Sequence, residues 1–361
     1  MKIGVLKEQS DPRVAIIPDT LAKFQGLGLE ILVEKDAGLN AQFADALYAE
    51  HASVVSRDQV IKQADLLISI HPLSKSERDK LPAGKWVVSQ FQPFNDDKII
   101  GELKAQGLKA FSLDMIPRTT LAQSMDILSS MASIAGYKAV LEAARLLPRY
   151  FPMMITAAGS IKPARVLILG AGVAGLQAIA TARRLGAMVE AFDTRSAAKE
   201  EVLSLGAKFI EVEGAVEDTG AGGYAVAQSE DFLKRQREEV QSRAQKADII
   251  ITTAQVRGRK APLLVPKETV DGMKPGSVII DLASSTGGNC ELSKDNEIVV
   301  HQGVQIYGNS NLAALLPQDA STLYSNNLFN FFKYLIKEGE VDLRLDDVII
   351  GGSFITAEEN A

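Results

Sequence analysis

The run GAGVAG at residues 170–175 constrains this chain more than any other feature. Alone, a G-x-G-x-x-G pattern is weak. Here it follows the apolar run RVLIL, opens the amphipathic LQAIATARRLG, and precedes a second apolar run, MVEAF, leading into Asp193. A strand, a tight turn and a helix form the setting in which such glycines bind a dinucleotide. Gly170 permits the turn, Gly172 lets the backbone approach a pyrophosphate, and Gly175 allows close helix packing, while the helix N-terminus offers N–H groups to phosphates. Asp193 is placed to accept hydrogen bonds from the adenosine ribose 2′-OH and to repel a 2′-phosphate, which favours NAD over NADP. Arg195, two residues on, is either a cation for such a phosphate or a solvent-exposed loop residue.

At 361 residues the chain exceeds one ordinary hydrophobic core, so two domains are expected. Before the fingerprint, short apolar runs alternate with longer amphipathic ones: KIGVLKE, PDTLAKFQGLG, EILVEK, FADALYAEHA, DLLISI, KWVVSQF, KIIGELKAQG and KAFSLDMI. That alternation predicts βα units and a parallel sheet. Pro18 suits the first turn of a helix that Gly26 or Gly28 closes in a left-handed cap. From Asp126, a candidate N-cap, the positions Ile127, Met131, Ile134, Tyr137, Leu141 and Ala144 share one face of a long helix. Gly136 within it hints at a close packing neighbour.

A second βα series runs through RVLILG, MVEAFD, AKFIEV, ADIIITT, SVIIDLA and VQIYG, in nearly continuous apolar strands that expect helices on both faces. Residues 321–337 predict one helix returning to the first domain, and 341–351 read as a last strand-like segment. The fold class expected is α/β: two Rossmann-like, doubly wound parallel-sheet domains joined by long helices. One spans 1–126 plus about 318–361 and is discontinuous; the other, over 127–317, carries the fingerprint.

Composition narrows the classes. Thirty-nine Lys and Arg against 45 Asp and Glu give a net charge of -6, which is no nucleic-acid footprint. Cys290 is the single cysteine, which excludes an internal disulfide and a cysteine metal cluster and suits a reducing cytosol, so no metal is expected. The start, MKIGVLKEQ, lacks the zones of a secretory signal. The most membrane-like run, residues 166–182, falls short of the ~20 apolar residues a span needs and reads better as strand, turn and helix.

The stretch RTTLAQSMDILSS, residues 118–130, gathers Arg118, Gln123, Asp126 and Ser129 among apolar residues, with no histidine or cysteine beside it. Oxidising a hydroxy or amino acid removes a proton as well as a hydride, so such dehydrogenases place a His, Lys or acid at the substrate. Of three histidines, His51 and His301 read as surface or structural residues, and His71, after DLLISI, is the one rival for that role. The glycine-rich GAVEDTGAGG, followed by Tyr224, is either a lid over a bound cofactor or an ordinary long loop. The charged stretch after it reads as a solvated helix face.

The runs AQSMDILSSMASIAGYKAV, FPMMITAAG, RVLILGAGVAGLQAIATA, TTAQVRGRKAP, MKPGSVIIDLA and GGNC resemble the NAD-binding α subunit (domain I) of the proton-translocating NAD(P) transhydrogenases. The resemblance covers nearly the whole chain. Alanine dehydrogenases, the related family, carry a lysine, a histidine and an aspartate where this chain has His71, Gln92 and Ser285, so the amino-acid site is expected to be lost. Hydride passing between C4 atoms of two nicotinamides moves no proton and requires alignment and water exclusion instead.

By that resemblance Arg118, Gln123, Asp126 and Ser129 hold the carboxamide and ribose of NAD(H), with Gln123 between the two nicotinamides. It implies further cofactor contacts at Val173, Asp193, Thr194, Arg195, Gly223, Gln236 and Gln255, and it matches Tyr224 to the tyrosine of a closing loop. Gln255, Val256 and Arg257 replace an apolar residue and Ile-Pro, a departure at the adenine pocket. The resemblance further implies NADP(H) as co-substrate on a partner subunit, membrane-spanning partner subunits, a homodimer, and a place on the cytoplasmic face of the membrane, with the chain either the separate-subunit form or a truncated piece of a longer one. The alternatives are an alanine dehydrogenase using His71 and a non-catalytic NAD(H) sensor.

Overall fold

The computed structural model describes residues 1–96, 98–212 and 230–357. The chain is α/β and divides into two compact units, Met1–Met131 with Ala313–Ala361, and Ala132–Leu312.

In the first unit, strands β1 (Lys2–Val5), β2 (Glu30–Glu34), β3 (Ser53–Val55), β4 (Leu66–Ile68), β5 (Trp86–Ser89) and β6 (Lys109–Ser112) form a parallel sheet in the order β3-β2-β1-β4-β5-β6. This is the doubly wound order. Successive residues along a strand point to opposite faces, and each face has its own core. Ile3, Val5, Ile31, Val33, Ile68, Val88 and Phe111 join one core. Gly4 lies between Ile3 and Val5, and Leu32, Leu67, Val87 and Ala110 supply the other face. Gly4 is fixed by packing, because a Cβ there would lie 2.6 Å from Val60.

The helix Pro317–Leu335 belongs to this unit. Its Ser321 and Ser325 hydroxyls accept the backbone N–H groups of Val14 and Ile17, and its Phe331 and Phe332 pack edge-on against Phe111 and Phe24. It ends at Leu335, earlier than expected. Ile336–Lys337 pairs with Glu340–Val341 in a small antiparallel ribbon. The strand-like reading of 341–351 needs correction, since Val348–Ser353 is helical. Asp347 accepts the N–H groups of Ile349 and Ile350 as an N-cap, and that turn buries both isoleucines. Pro18 begins the helix Pro18–Gln25 as expected, and Gly28, at φ +80°, takes the left-handed position while Gly26 stays helical.

The second unit contains the hairpin β7 (Met154–Thr156) and β8 (Gly159–Ile161), then β9 (Arg165–Leu169), β10 (Met188–Phe192), β11 (Lys208–Phe209), β12 (Ile249–Thr252), β13 (Val278–Asp281), β14 (Glu297–His301) and β15 (Val304–Gly308). Seven of these form one sheet in the order β11-β10-β9-β12-β13-β15-β14, parallel except for β14 at the edge. Val166, Ile168, Ile249, Ile251, Val278 and Ile280 face one core; Leu167, Leu169, Ile250 and Ile279 face the other. Burial on both faces explains why these strands read as unbroken apolar runs. Among the described residues no helix is long and apolar enough to cross a membrane, and the run 166–182 is strand β9, the glycine turn and the helix Val173–Arg184.

Candidate functional site

The glycine turn sits at the carboxyl end of β9, and its glycines are required for different reasons. Gly170 has φ +104°, and a Cβ there would lie 2.5 Å from the Thr253 hydroxyl. A Cβ on Gly175 would lie 1.9 Å from the Gly170 carbonyl oxygen, so that glycine sets how closely helix and strand approach. Gly172 is different: its backbone is extended, and a Cβ there would meet nothing within 4 Å. Packing does not explain it. The helix Val173–Arg184 begins beside it with no side-chain cap, so its first N–H groups remain available to an anion, and Arg183 and Arg184 complement its far end. Gly136 has the close neighbour its position suggested, since a Cβ there would lie 2.1 Å from the Ala174 carbonyl oxygen.

Asp193 lies just past β10, beside the turn. Its Oδ1 accepts the Arg195 backbone N–H and Nε, both at 2.9 Å; Oδ2 accepts the Ala171 N–H at 2.7 Å and Arg195 Nη2 at 3.0 Å. Burial pushes this carboxyl upward, but the Arg195 side chain, with the Arg195 and Ala171 N–H groups, outweighs it and holds the group below the usual carboxylate range. A carboxylate has about four lone-pair sites, and all are in use. Arg195 is therefore paired with Asp193 and only partly exposed, which excludes the free loop cation. Thr194 is exposed next to them, Val173 is 43% exposed at the first helical position, and Gln236 is half-buried on the helix Glu230–Ala244. Gly223 and Tyr224, with the lid expectation, lie outside the described residues.

Two loops at the same edge of the sheet are tied by residues the sequence did not single out. Fully buried Asp281, the last residue of β13, accepts Thr252 Oγ1 and the N–H groups of Ala283, Asn289 and Cys290. Asn289 carries that anchoring outward: its Oδ1 accepts the Ala254 N–H, and its Nδ2 donates to the carbonyls of Ala254 and Pro262. Its amide pairs with Ala254 as a neighbouring strand would. Gln255 is thereby fixed in the backbone, and its own Nε2 donates to Leu282 O at 2.8 Å, while Val256 is exposed. The only sequence signal was the tripeptide Gly-Gly-Asn before Cys290.

In the first unit, Gln123 opens a single 3-10 turn, Gln123–Met125, and its side chain is exposed. Asp126 caps the following helix: Oδ1 accepts the Ser129 N–H at 2.9 Å and Oδ2 the Ser129 hydroxyl at 2.6 Å. Arg118 is exposed, with Nε 3.9 Å from Asp126 Oδ2. The structure thus gathers Arg118, Asp126 and Ser129, with Gln123 presented from the adjoining turn.

His71 does not stand alone. Its Nε2 lies 2.9 Å from Asp11 Oδ2, and buried Asp11 also binds Arg13 through both carboxylate oxygens. Burial raises the Asp11 carboxyl, but Arg13 and His71 hold it far below the usual range. Asp11 and Arg13 were missed in the sequence, although a charged pair flanking Pro12 before the apolar VAII was a visible signal. Gln92 is exposed in a left-handed backbone at φ +50°, and Ser285 is exposed with its N–H on Ser310. His51 contacts Gln25, and His301 contacts Asp271, both as structural histidines. No cluster of His, Cys, Asp or Glu able to hold a metal occurs among the described residues.

Fold and turn together define a two-domain α/β protein of the Rossmann-containing class. Residues 4–135 match the N-terminal domain, and 139–360 the C-terminal domain, of the alanine dehydrogenase/PNT family. The chain is 43% identical to the first part of the NAD(P) transhydrogenase subunit alpha of Rhodospirillum rubrum, over 99% of this chain and 97% of that protein. It superposes on the transhydrogenase crystal structure from Sinorhizobium meliloti with a TM-score of 0.90 and 39% identity, covering 98% of each chain. Alanine dehydrogenase of Mycolicibacterium smegmatis is more distant, 26% identical over 94% of this chain and 88% of that protein. The chain belongs to the NAD(P) transhydrogenase α-subunit family, an oxidoreductase family.

Proposed function

We propose that this chain binds NADH and passes its hydride to NADP⁺ held on a different polypeptide, and that membrane-spanning partner subunits couple the exchange to proton movement. The observation that carries the reading is the open edge of Gly172 over an uncapped helix N-terminus, with Asp193 beside it. These residues fit a dinucleotide. Gly172 admits the pyrophosphate, the N–H groups of the first helical turn donate to it, and Asp193 accepts the adenosine ribose hydroxyls after Arg195 gives up a bond. Thr194, Gln236 and Gln255 line the adenosine end. Arg118, Asp126 and Ser129 hold the carboxamide and nicotinamide ribose, and Gln123 fixes the plane of the ring.

Bound NADH supplies the hydride, and no side chain is asked to move a proton. Orientation is what these residues contribute. The alanine dehydrogenase alternative is disfavoured by Gln92 and Ser285, exposed residues with no ionisable group where that family carries a histidine and an aspartate. The test mixes the chain with an NADP-binding partner domain and follows NADH-dependent reduction of an NADP analogue. Reduction is expected only when both polypeptides are present. Steady NADH formation from L-alanine by the isolated chain would overturn the reading.

The same reading makes the protein a homodimer at the cytoplasmic face of the membrane, attached through its partner subunits. The hairpin β7–β8 supports the dimer. A two-stranded ribbon is marginal alone, yet this one exposes Ile155 at 75% and Ile161 at 42%, with Met153 at 59% beside them. Ile155→Glu is expected to shift the protein from dimer to monomer in light scattering without lowering its Tm. An unchanged dimer would remove the hairpin from the interface.

A further inference from the structure

We propose that Asn327 and Asn330 are positioning residues for hydride transfer: they hold the turn that presents Gln123. The proposal rests on the role given to Gln123 above. A single 3-10 turn has poor hydrogen-bond geometry and little stability of its own. Here the turn closes through Met125 N–H to Ala122 O at 2.8 Å and Asp126 N–H to Gln123 O at 3.4 Å. Ala122 and Met125 anchor it in the core, while Gln123 and Ser124 stay exposed. Burial of those two side chains sets the depth of the turn. The Ser124–Met125 peptide group is held on its N–H side by the Ala122 carbonyl; its carbonyl side, one residue from Gln123, is held by further contacts.

Those contacts come from the helix Pro317–Leu335. Asn327 Nδ2 donates to the Ser124 carbonyl at 2.8 Å and Asn330 Nδ2 donates to the same oxygen at 3.1 Å. Residues three apart share a helix face, so two successive turns aim at one atom. A carbonyl only accepts, which settles which end of each amide faces it. The consequence for Asn327 is unfavourable. Its Oδ1 is then turned inward, and in a residue only 8% exposed it has no hydrogen-bond partner among the described residues. A buried acceptor without a donor costs stability, and an apolar side chain of similar size would avoid that cost. Ser124 O would keep its Asn330 bond in any case. Folding therefore does not require an asparagine at 327, whereas two converging donors do fix the orientation of the peptide next to Gln123.

The test compares Asn327→Leu, Gln123→Ala and the double variant in the assembly with the NADP-binding partner. Asn327→Leu is expected to keep or raise the Tm, to change the Kd for NADH less than about twofold, and to slow transfer at saturating nucleotides roughly tenfold, the scale of a small misplacement of a reacting group. If Asn327 acts through Gln123, the double variant is no slower than Gln123→Ala alone. Asn330→Leu, nearer the surface, is the second probe and is expected to show the same split between transfer and binding. A normal rate in both leucine variants beside a slowed Gln123→Ala overturns the positioning role alone. Normal rates in all of them overturn the role of Gln123 and with it the proposal. Multiplicative losses in the double variant, or losses of rate that track Tm, also overturn it.

Discussion

Gly172→Val is expected to leave the protein folded and to abolish its useful affinity for NADH. The backbone at Gly172 is extended, a conformation any residue adopts, and the position a Cβ would take is empty to 4 Å, so neither strain nor overpacking opposes the substitution. The added isopropyl group fills the space through which a pyrophosphate must approach the helix N-terminus. We expect Kd for NADH to rise by roughly a hundredfold or more, about 3 kcal/mol, with an unchanged Tm. Gly175→Ala provides the contrast: its Cβ would lie 1.9 Å from the Gly170 carbonyl oxygen, so helix and strand must separate, and Tm falls in step with binding. Calorimetric titration beside thermal unfolding separates the two cases. Normal NADH affinity in Gly172→Val would place the dinucleotide elsewhere.

The second large effect concerns the choice between nucleotides. The unsubstituted protein is expected to bind NADH far more tightly than NADPH, and Asp193→Ala to narrow that ratio by roughly a hundredfold. Two changes act together. The carboxylate that repels a 2′-phosphate disappears, and Arg195, now bonded to Asp193 through its backbone N–H, Nε and Nη2, is released to meet that phosphate. A charge-assisted bond of this kind contributes about 1.5–3 kcal/mol, enough for the change expected.

The pH dependence carries a sign that can be checked. Arg195 and Ala171 depress the Asp193 carboxyl below its ordinary value of 3.8, so its charge is present at higher pH and is lost only as pH falls through the lower, folded value. The preference for NADH should therefore stay flat from about pH 8 to about pH 5, on the acid side of which an unperturbed aspartate begins to protonate. Equal affinities in the unsubstituted protein, or an unchanged ratio in Asp193→Ala, would contradict the role of Asp193.

Much of the fold was legible because its signals are local. Strands covered on both faces are apolar along most of their length, with polar residues mainly at their ends, so β1, β2, β4, β5, β6, β9, β10, β12 and β13 could be read directly. Short or half-exposed elements were not. β3 has three residues and no buried one, and the hairpin β7–β8 is largely exposed, so neither has enough apolar content to stand out from a loop. At 341–351 the apolar VII was read as strand, when the capping by Asp347 made it helix. Gly170 and Gly175 could be assigned from spacing, and their crowded surroundings agree with the jobs given to them.

The chain's order of residues was enough to specify two βα series, the glycine turn and the chemical types near it, because hydrophobic period, glycine placement and capping act over a few neighbouring residues. Tertiary structure alone decided which side chains hold those parts in place. Asn327 reaches Ser124 across 203 positions, Asn289 reaches Ala254 across 35, and His71 meets Asp11 across 60. Such contacts have no local period. They exist only once the sheets have formed and brought distant segments within hydrogen-bond range, where a buried polar group must find a partner or remain without one.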